Sequence, residues 1–178
     1  MSEREKVYLG LGSNLGDRLK NLSFALRRLA ANARIELRQI SSIYETEPYG
    51  FHEQPPFLNC VVEVQTSLPP VGMLIVAKSI EEQAGRRAGR RWGPREIDVD
   101  ILCYEKSVVH LDFLQVPHSD LTKRRFVLAP FSEIAPDFVP PETTRTISEM
   151  YRQCRDTGAV QIFGTAHLLT ARTGEELS

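Results

Sequence analysis

The five residues 97–101, Ile-Asp-Val-Asp-Ile, constrain the fold more than any other stretch of the chain. Ile97, Val99 and Ile101 alternate with Asp98 and Asp100, a period of two that belongs to a strand and not to a helix. The segment therefore reads as a β-strand with one apolar face against a core and both aspartates on the other. Their Cα atoms then lie roughly 6.5 Å apart. Asp is a poor strand former, and at an effective dielectric of about 20 two carboxylates at that spacing repel by roughly 2 kcal/mol. A divalent cation would remove that cost, and carboxylate oxygens suit Mg²⁺. Just upstream, Arg86, Arg87, Arg90, Arg91 and Arg95 share a loop broken by Gly85, Gly89, Gly93 and Pro94. Carboxylates for a metal beside guanidinium groups for phosphate make a phosphoryl-transfer constellation. The plainer reading is a solvated edge strand after a charged surface loop.

The rest of the chain supplies the partners such a strand needs. Residues 7–12 read as a first strand, followed by a helix that Ser13 or Asn14 caps and whose apolar stripe is Leu19, Leu22, Leu26 and Leu29. A long second strand spans 35–46, a proline- and glycine-punctuated loop 47–56, and a third strand 57–65. Pro69-Pro70 opens a second helix with Met73, Ala77, Ile80 and Ala84 on its buried face, and Gly85 ends it. The order β-α-β-β-α-β predicts an α+β, ferredoxin-like fold whose second and third strands pair antiparallel. After Cys103 comes a C-terminal helical extension: a short strand at 108–109 and helices within 123–134 and 146–155. Residues 1–164 read as a single domain, and 165–178 as a polar tail, frayed or disordered.

Composition excludes several classes. A net charge of −1 argues against a general nucleic-acid or membrane-surface binder. Cys60, Cys103 and Cys154 are isolated, which argues against a disulfide framework or zinc site, and the first two sit in apolar strand patterns as small core residues. The N-terminus has no signal-peptide pattern, and no run reaches the ~18 apolar residues of a membrane span. The expected compartment is the cytoplasm.

Single motifs carry less. Gly10-x-Gly12-x-x-x-Gly16 departs from the dinucleotide fingerprint and marks a tight strand-to-helix turn where a backbone or ligand comes close. No P-loop pattern is present, so a nucleotide must be held by side chains and metal. Period two puts Phe57 and Asn59 on one strand face, a ring to stack on a flat heterocycle and an amide to pair with its edge; the competing reading is a core phenylalanine beside a strand-end asparagine. His118 stands out among the histidines because Arg124, Arg125 and the aspartate strand are near it in sequence. Trp92 is either an anchor or a plug of the arginine loop, and Glu81 and Glu82 read as solvated.

Together these blocks form an ordered set: Leu11-Gly12-Ser13-Asn14, Tyr44-Glu45-Thr46-Glu47-Pro48, Phe57-Leu58-Asn59, Gly85-Arg86, Arg91-Trp92-Gly93-Pro94-Arg95, Ile97 to Ile101, and Val116-Pro117-His118. Over about residues 7–138 the chain resembles the 6-hydroxymethyl-7,8-dihydropterin pyrophosphokinase family of folate biosynthesis. The resemblance implies a ferredoxin-like αβα sandwich and Mg²⁺-dependent transfer of diphosphate from ATP, the co-substrate, to the pterin hydroxymethyl group, with release of AMP. It implies that Asp98 and Asp100 hold two Mg²⁺ ions, that Asn59 and groups around Thr46 and Pro48 read the pterin edge, and that Phe57 and Phe126 sandwich its ring. Arg86 and Arg95 would contact phosphate and act with the aspartates in catalysis. Glu81, Arg91, Trp92, Ile101, His118 and Arg124 would belong to the ATP side. The loop is one residue shorter than in some relatives, which leaves Arg87 and Arg90 unassigned, and Phe113 and Ser119 replace a basic residue and a tyrosine. The implied partners are small molecules, ATP and the reduced pterin alcohol, with no nucleic acid or membrane, for a monomer. Two readings from other classes are a ferredoxin-like RNA-binding module and a metal-dependent nuclease using the same aspartates.

Overall fold

The computed structural model describes residues 3–50, 52–85 and 93–170. In chain order the elements are β1 (Glu5–Ser13), α1 (Arg18–Ala30), β2 (Ile35–Ile40), β3 (Ile43–Thr46), β4 (Phe57–Thr66), α2 (Pro70–Gln83) and β5 (Asp98–Tyr104). They continue with β6 (Val109–Leu111), β7 (Leu114–Val116), α3 (Arg125–Ile134), α4 (Ile147–Arg152), β8 (Val160–Gly164) and α5 (His167–Thr170). The main sheet is antiparallel in the order β5-β1-β4-β3-β8, with β2 also paired to β4, while β6 and β7 form a separate hairpin.

Alternation along the strands sorts the side chains into two layers. Val7, Leu9 and Leu11 of β1, Leu58, Cys60, Val62 and Val64 of β4, and Val99 and Ile101 of β5 pack with the buried stripes of α1 and α2. On the opposite face Tyr8, Val61, Leu102 and Cys103 pack with α3 and α4, and the Tyr8 ring lies 4.6 Å from that of Phe131 and 5.0 Å from that of Phe138. This second layer covers only part of its face. The end where Gly12, Phe57 and Asp98 lie is left open as a cleft.

Several local expectations are corrected. The long second strand is two strands, broken at Ser41-Ser42. The Ser41 hydroxyl accepts the Val61 N–H at 2.9 Å in place of a main-chain carbonyl, so a side chain interrupts the ladder. Helix α1 is capped by Asp17, whose carboxylate accepts the Lys20 N–H at 3.0 Å. Ser13 is still in the strand and Asn14 is committed elsewhere, so neither caps it. Gly10 and Gly12 lie within β1, in line with the strand read over 7–12, so of the three motif glycines only Gly16, at φ 70°, occupies the turn. The helical extension is present, but it ends in β8, which adds a strand beside β3. In the stretch read as a polar tail, α5 buries Leu169, whose carbonyl accepts the Ser23 hydroxyl of α1 at 3.2 Å. Residues 171–178 lie outside the described residues. Cys60 and Cys103 are buried and free, and burial pushes the Cys60 thiol up to about 12, as core residues require. No helix among the described residues is long and apolar enough to cross a membrane.

Candidate active site

Pairing across three strands builds the cleft floor. Gly12 of β1 lies opposite Asn59 of β4 on one side and Asp98 of β5 on the other, and Gly10 lies opposite Asp100. On this face β1 therefore presents Tyr8, then Gly10, then Gly12, and the floor drops along the strand. A Cβ on Gly12 would sit 2.5 Å from Asn59 Oδ1. The glycine is what lets the amide lie across the floor. The resulting cleft has a volume of about 300 Å³.

One end of the cleft is suited to a flat polar ring. Asn59 is only 8% exposed and donates from Nδ2 to the Thr46 hydroxyl at 2.7 Å. That bond fixes the amide plane. Phe57, Tyr49 and Phe126 also line the cleft, and Tyr49 and Phe126 are in tilted contact at 6.4 Å between centroids. Pro48 is buried and faces a neighbouring cavity of about 450 Å³ between the β3–β4 loop and residues 156–160.

The other end is charged. Asp98 and Asp100 project into the cleft while Val99 between them is buried. Arg95 donates to Asp98 Oδ1 at 2.9 Å and holds that charge in place. Burial pushes the Asp100 carboxyl up, Arg124 pulls the other way, and Glu81 adds to the rise. Glu81 is not solvated: it is 3% exposed, accepts the Val99 N–H at 3.0 Å and takes Lys78 Nζ at 3.0 Å on its other oxygen. It thus fixes the strand at the residue between the two aspartates. Among the described residues no group of three or more acidic, His or Cys side chains gathers round a metal position. Two carboxylates alone, one of them disfavoured as an anion, fit Mg²⁺, which binds one or two carboxylates and completes its shell with water and phosphate oxygens.

His118 and Arg124 also line the cleft. The His118 Nδ1 accepts the Asp120 N–H at 3.1 Å, and burial, then Arg124, holds its pKa below the usual range. The ring is therefore neutral with its proton on Nε2. Arg124 donates to Asp120 Oδ2 at 2.8 Å, with its guanidinium 5.5 Å from the Tyr49 ring centroid and 5.9 Å from that of Phe126. Asp120 is held below the usual carboxylate range; burial opposes this, and the Lys123 hydrogen bond and Arg124 outweigh it.

Among the residues expected from sequence, Thr46, Phe57, Asn59, Arg95, Asp98, Asp100, His118, Arg124 and Phe126 meet at this cleft. Glu81 acts on it through the backbone of Val99 and through its charge beside Asp100. Ile101 points to the opposite face, into the core, so any contact it makes in the cleft is by main chain. Arg86, Arg91 and Trp92, with Arg87 and Arg90, lie outside the described residues. The sequence reading missed Asn14, which accepts the Arg95 N–H at 2.8 Å and donates to Gln54 at 2.9 Å and to the Pro55 carbonyl at 3.0 Å. It joins the approach to β5 to the β3–β4 loop. It also missed Asp120, for which the i,i+4 spacing to Arg124 was the available signal.

The chain matches the family model described as 7,8-dihydro-6-hydroxymethylpterin-pyrophosphokinase (HPPK) over residues 8–136. It is 42% identical over 143 residues to the 2-amino-4-hydroxy-6-hydroxymethyldihydropteridine pyrophosphokinase of Aquifex aeolicus, covering 80% of this chain and 88% of that one. It is 47% identical over 134 residues to the protein of the same name from Methylorubrum extorquens, covering 75% and 85%. The crystal structure of wild-type Plasmodium falciparum HPPK-DHPS with pteroate superposes with a TM-score of 0.69 at 16% identity, over 86% of this chain. This chain spans 45% of that longer one, and the likeness is one of fold.

Proposed function

The chain belongs to the 7,8-dihydro-6-hydroxymethylpterin-pyrophosphokinase family, and from that premise we propose that it transfers diphosphate from ATP to 6-hydroxymethyl-7,8-dihydropterin in folate biosynthesis. The observation that carries the reading is one cleft lined both by an amide fixed by Thr46 together with aromatic rings and by a pair of carboxylates beside arginines.

The reaction joins the pterin hydroxymethyl oxygen to the β-phosphorus of ATP. The bond from that phosphorus to the α–β bridging oxygen breaks, AMP leaves with that oxygen, and the hydroxyl proton passes to solvent. Such a transfer needs in-line placement and charge neutralisation more than covalent help. Asn59 and Thr46, with main-chain groups near Pro48, read the pterin edge, and Phe57 and Phe126 hold the ring between them. Two Mg²⁺ ions at Asp98 and Asp100 would supply charge neutralisation on the transferred phosphates. Arg95 and Arg86 act on the same oxygens, where a bidentate fork is worth most. His118 donates from Nε2, and Arg124, Arg91, Trp92, Glu81 and the main chain of Ile101 serve the nucleotide side.

We read the strand order, with helices on both faces, as ferredoxin-like, and residues 1–170 as one domain, with α5 packed on α1. The enzyme acts as a cytoplasmic monomer on small molecules and not on nucleic acid or membranes. An RNA-binding module would need a basic face, whereas the cleft floor here is acidic; a nuclease using the same aspartates would cleave nucleic acid. Incubation with ATP, Mg²⁺ and the reduced pterin alcohol tests the reading: AMP and pterin diphosphate should form in equal amounts by mass spectrometry. ATP consumption without pterin diphosphate, or cleavage of added nucleic acid, would overturn it.

A further inference from the structure

We propose that Asp156, in the C-terminal extension and outside the cleft, is a positioning residue for the pterin end of the site. The proposal rests on the function just proposed. Helix α3 starts without a side-chain cap of its own: Arg124 at the N-cap supplies none, and its first turn has no acidic residue. Its exposed donors need an acceptor, and its positive end favours an anion. Asp156 provides both from a distant part of the chain. Its Oδ2 accepts the Arg125 N–H at 3.0 Å, and its Oδ1 accepts the Gly158 N–H at 2.9 Å.

The carboxylate therefore ties the first turn of α3 to the 156–160 segment, and that segment is tied in turn to the opposite wall. Glu47 N–H donates to the Ala159 carbonyl at 3.2 Å, and Ala159 N–H to the Glu47 carboxylate at 3.3 Å. Val160 of β8 pairs with Thr46 of β3. Thr46 is the residue that fixes Asn59, and Phe126, in the first turn of α3, is the ring on the other wall. One carboxylate thus sets the spacing between the stacking ring and the edge-reading amide. Arg124, next to the same helix start, has an anchor of its own in Asp120 at 2.8 Å. Loss of Asp156 should therefore move Phe126 more than Arg124, and pterin should suffer more than nucleotide.

The test compares Asp156→Ala, Asp156→Asn and Gly158→Ala in the full chain, with steady-state constants for each substrate, calorimetric pterin affinity and thermal melts. Asp156→Ala should raise the pterin KM and Kd by about fivefold, the scale of one lost helix cap. Its KM for ATP should change by less than about twofold, with kcat retained. Asn still offers an acceptor to the helix, so Asp156→Asn should recover most of the affinity. A Cβ on Gly158 would stand 3.1 Å from Asp156 Oδ1 and push the carboxylate by a few tenths of an ångström without removing its charge. Gly158→Ala should show a weaker, equally pterin-selective loss, and it carries the test if Asp156→Ala does not fold. An unchanged pterin Kd, an equal loss for both substrates, or no recovery by Asn would overturn the proposal and leave Asp156 a stability residue only. A wild type that binds no pterin would overturn the functional reading itself, a result distinct from any variant difference.

Discussion

The two faces of the central sheet are made by the same three strands and do opposite jobs. On one face β1 offers Val7, Leu9 and Leu11, β4 offers Leu58, Cys60, Val62 and Val64, and β5 offers Val99 and Ile101, all buried under α1 and α2. One residue along each strand, the other face offers Gly10, Gly12, Phe57, Asn59, Asp98 and Asp100 to an open cleft. The first set gains roughly 1.5–3 kcal/mol for each large apolar side chain it buries. The second gains little, and it keeps Asp100 where burial disfavours its charge. Stability and chemistry are thus separated by a single step of the pleat, so one face can carry strain that the other supports.

The comparison predicts which variants fail at the bench and which fail to fold. The largest effect is expected at the carboxylates. Asp98→Ala or Asp100→Ala should cut turnover by roughly 10²–10³-fold, the scale for removing one charge-stabilising group from a reacting centre. Circular dichroism should show the fold intact. Near-normal activity in both variants would remove the cleft from the chemistry. On the opposite face, Leu11→Ala should cost about 2–5 kcal/mol of stability by urea unfolding, with substrate affinities preserved in the folded fraction. A large loss of pterin affinity there would show that the two faces are not separable.

A finer cut lies between neighbouring glycines on one strand. A methyl on Gly12 meets Asn59 Oδ1 at 2.5 Å, whereas one on Gly10 meets only Leu102 side-chain carbons at 3.4 Å and beyond. Asn59 can swing away from the methyl only by giving up its bond to Thr46. Gly12→Ala should therefore weaken pterin binding by about 1–3 kcal/mol, as Asn59→Ala should, since the heterocycle edge then lacks its partner. ATP binding should be unchanged in both, and Gly10→Ala should bind both ligands normally. Equal behaviour of the two glycine variants in calorimetry would mean that the floor is not shaped by Gly12.

What could be read in the sequence follows the same division. Alternation exposed the faces of β4 and β5 because burial of one face forces a period of two. On that ground the shared face of the two aspartates, and of Phe57 and Asn59, was legible, while their roles came only from the resemblance. Register was not legible. The strand over residues 7–12 was legible, but nothing local says that Gly12 lies opposite Asn59, so what its missing Cβ makes room for could not be read. Competition between nearby caps was also hidden: Ser13, Asn14 and Asp17 are all good N-caps, and long-range bonds from Asn14 decide for Asp17. Glu81 read as solvated because helix patterning treats a carboxylate as surface, while its partner, the Val99 N–H, comes from another element. The break at Ser41 and the pairing of β8 with β3 rest on equally distant partners.

The smallest expected effect probes the cost of the site most directly. In the folded chain burial raises the Asp100 carboxyl pKa, and Glu81 adds to the rise against Arg124, Lys78 and Arg95. In the unfolded chain the group titrates near the ordinary value of about 3.9. Below that value both states hold the proton and the charge costs nothing. As pH rises, the unfolded chain ionises first, and stability falls until the folded carboxyl has ionised as well. Asp100→Asn removes a cost that is present at neutral pH and absent in acid. Its melting temperature should exceed that of the parent at pH 7, by about 2–4 °C for each kcal/mol relieved, and the gain should vanish as pH falls toward about 4. Asp98→Asn is the control: Arg95 holds that carboxylate at 2.9 Å, so its loss should give no such gain. Adding Mg²⁺ and ATP should reverse the order, because ligands that bind only the folded parent raise its melting point. A gain independent of pH would mean that buried charge is not its source. A lower melting point for Asp100→Asn at pH 7 would mean that the cleft carboxylate supports the sheet as the apolar face does.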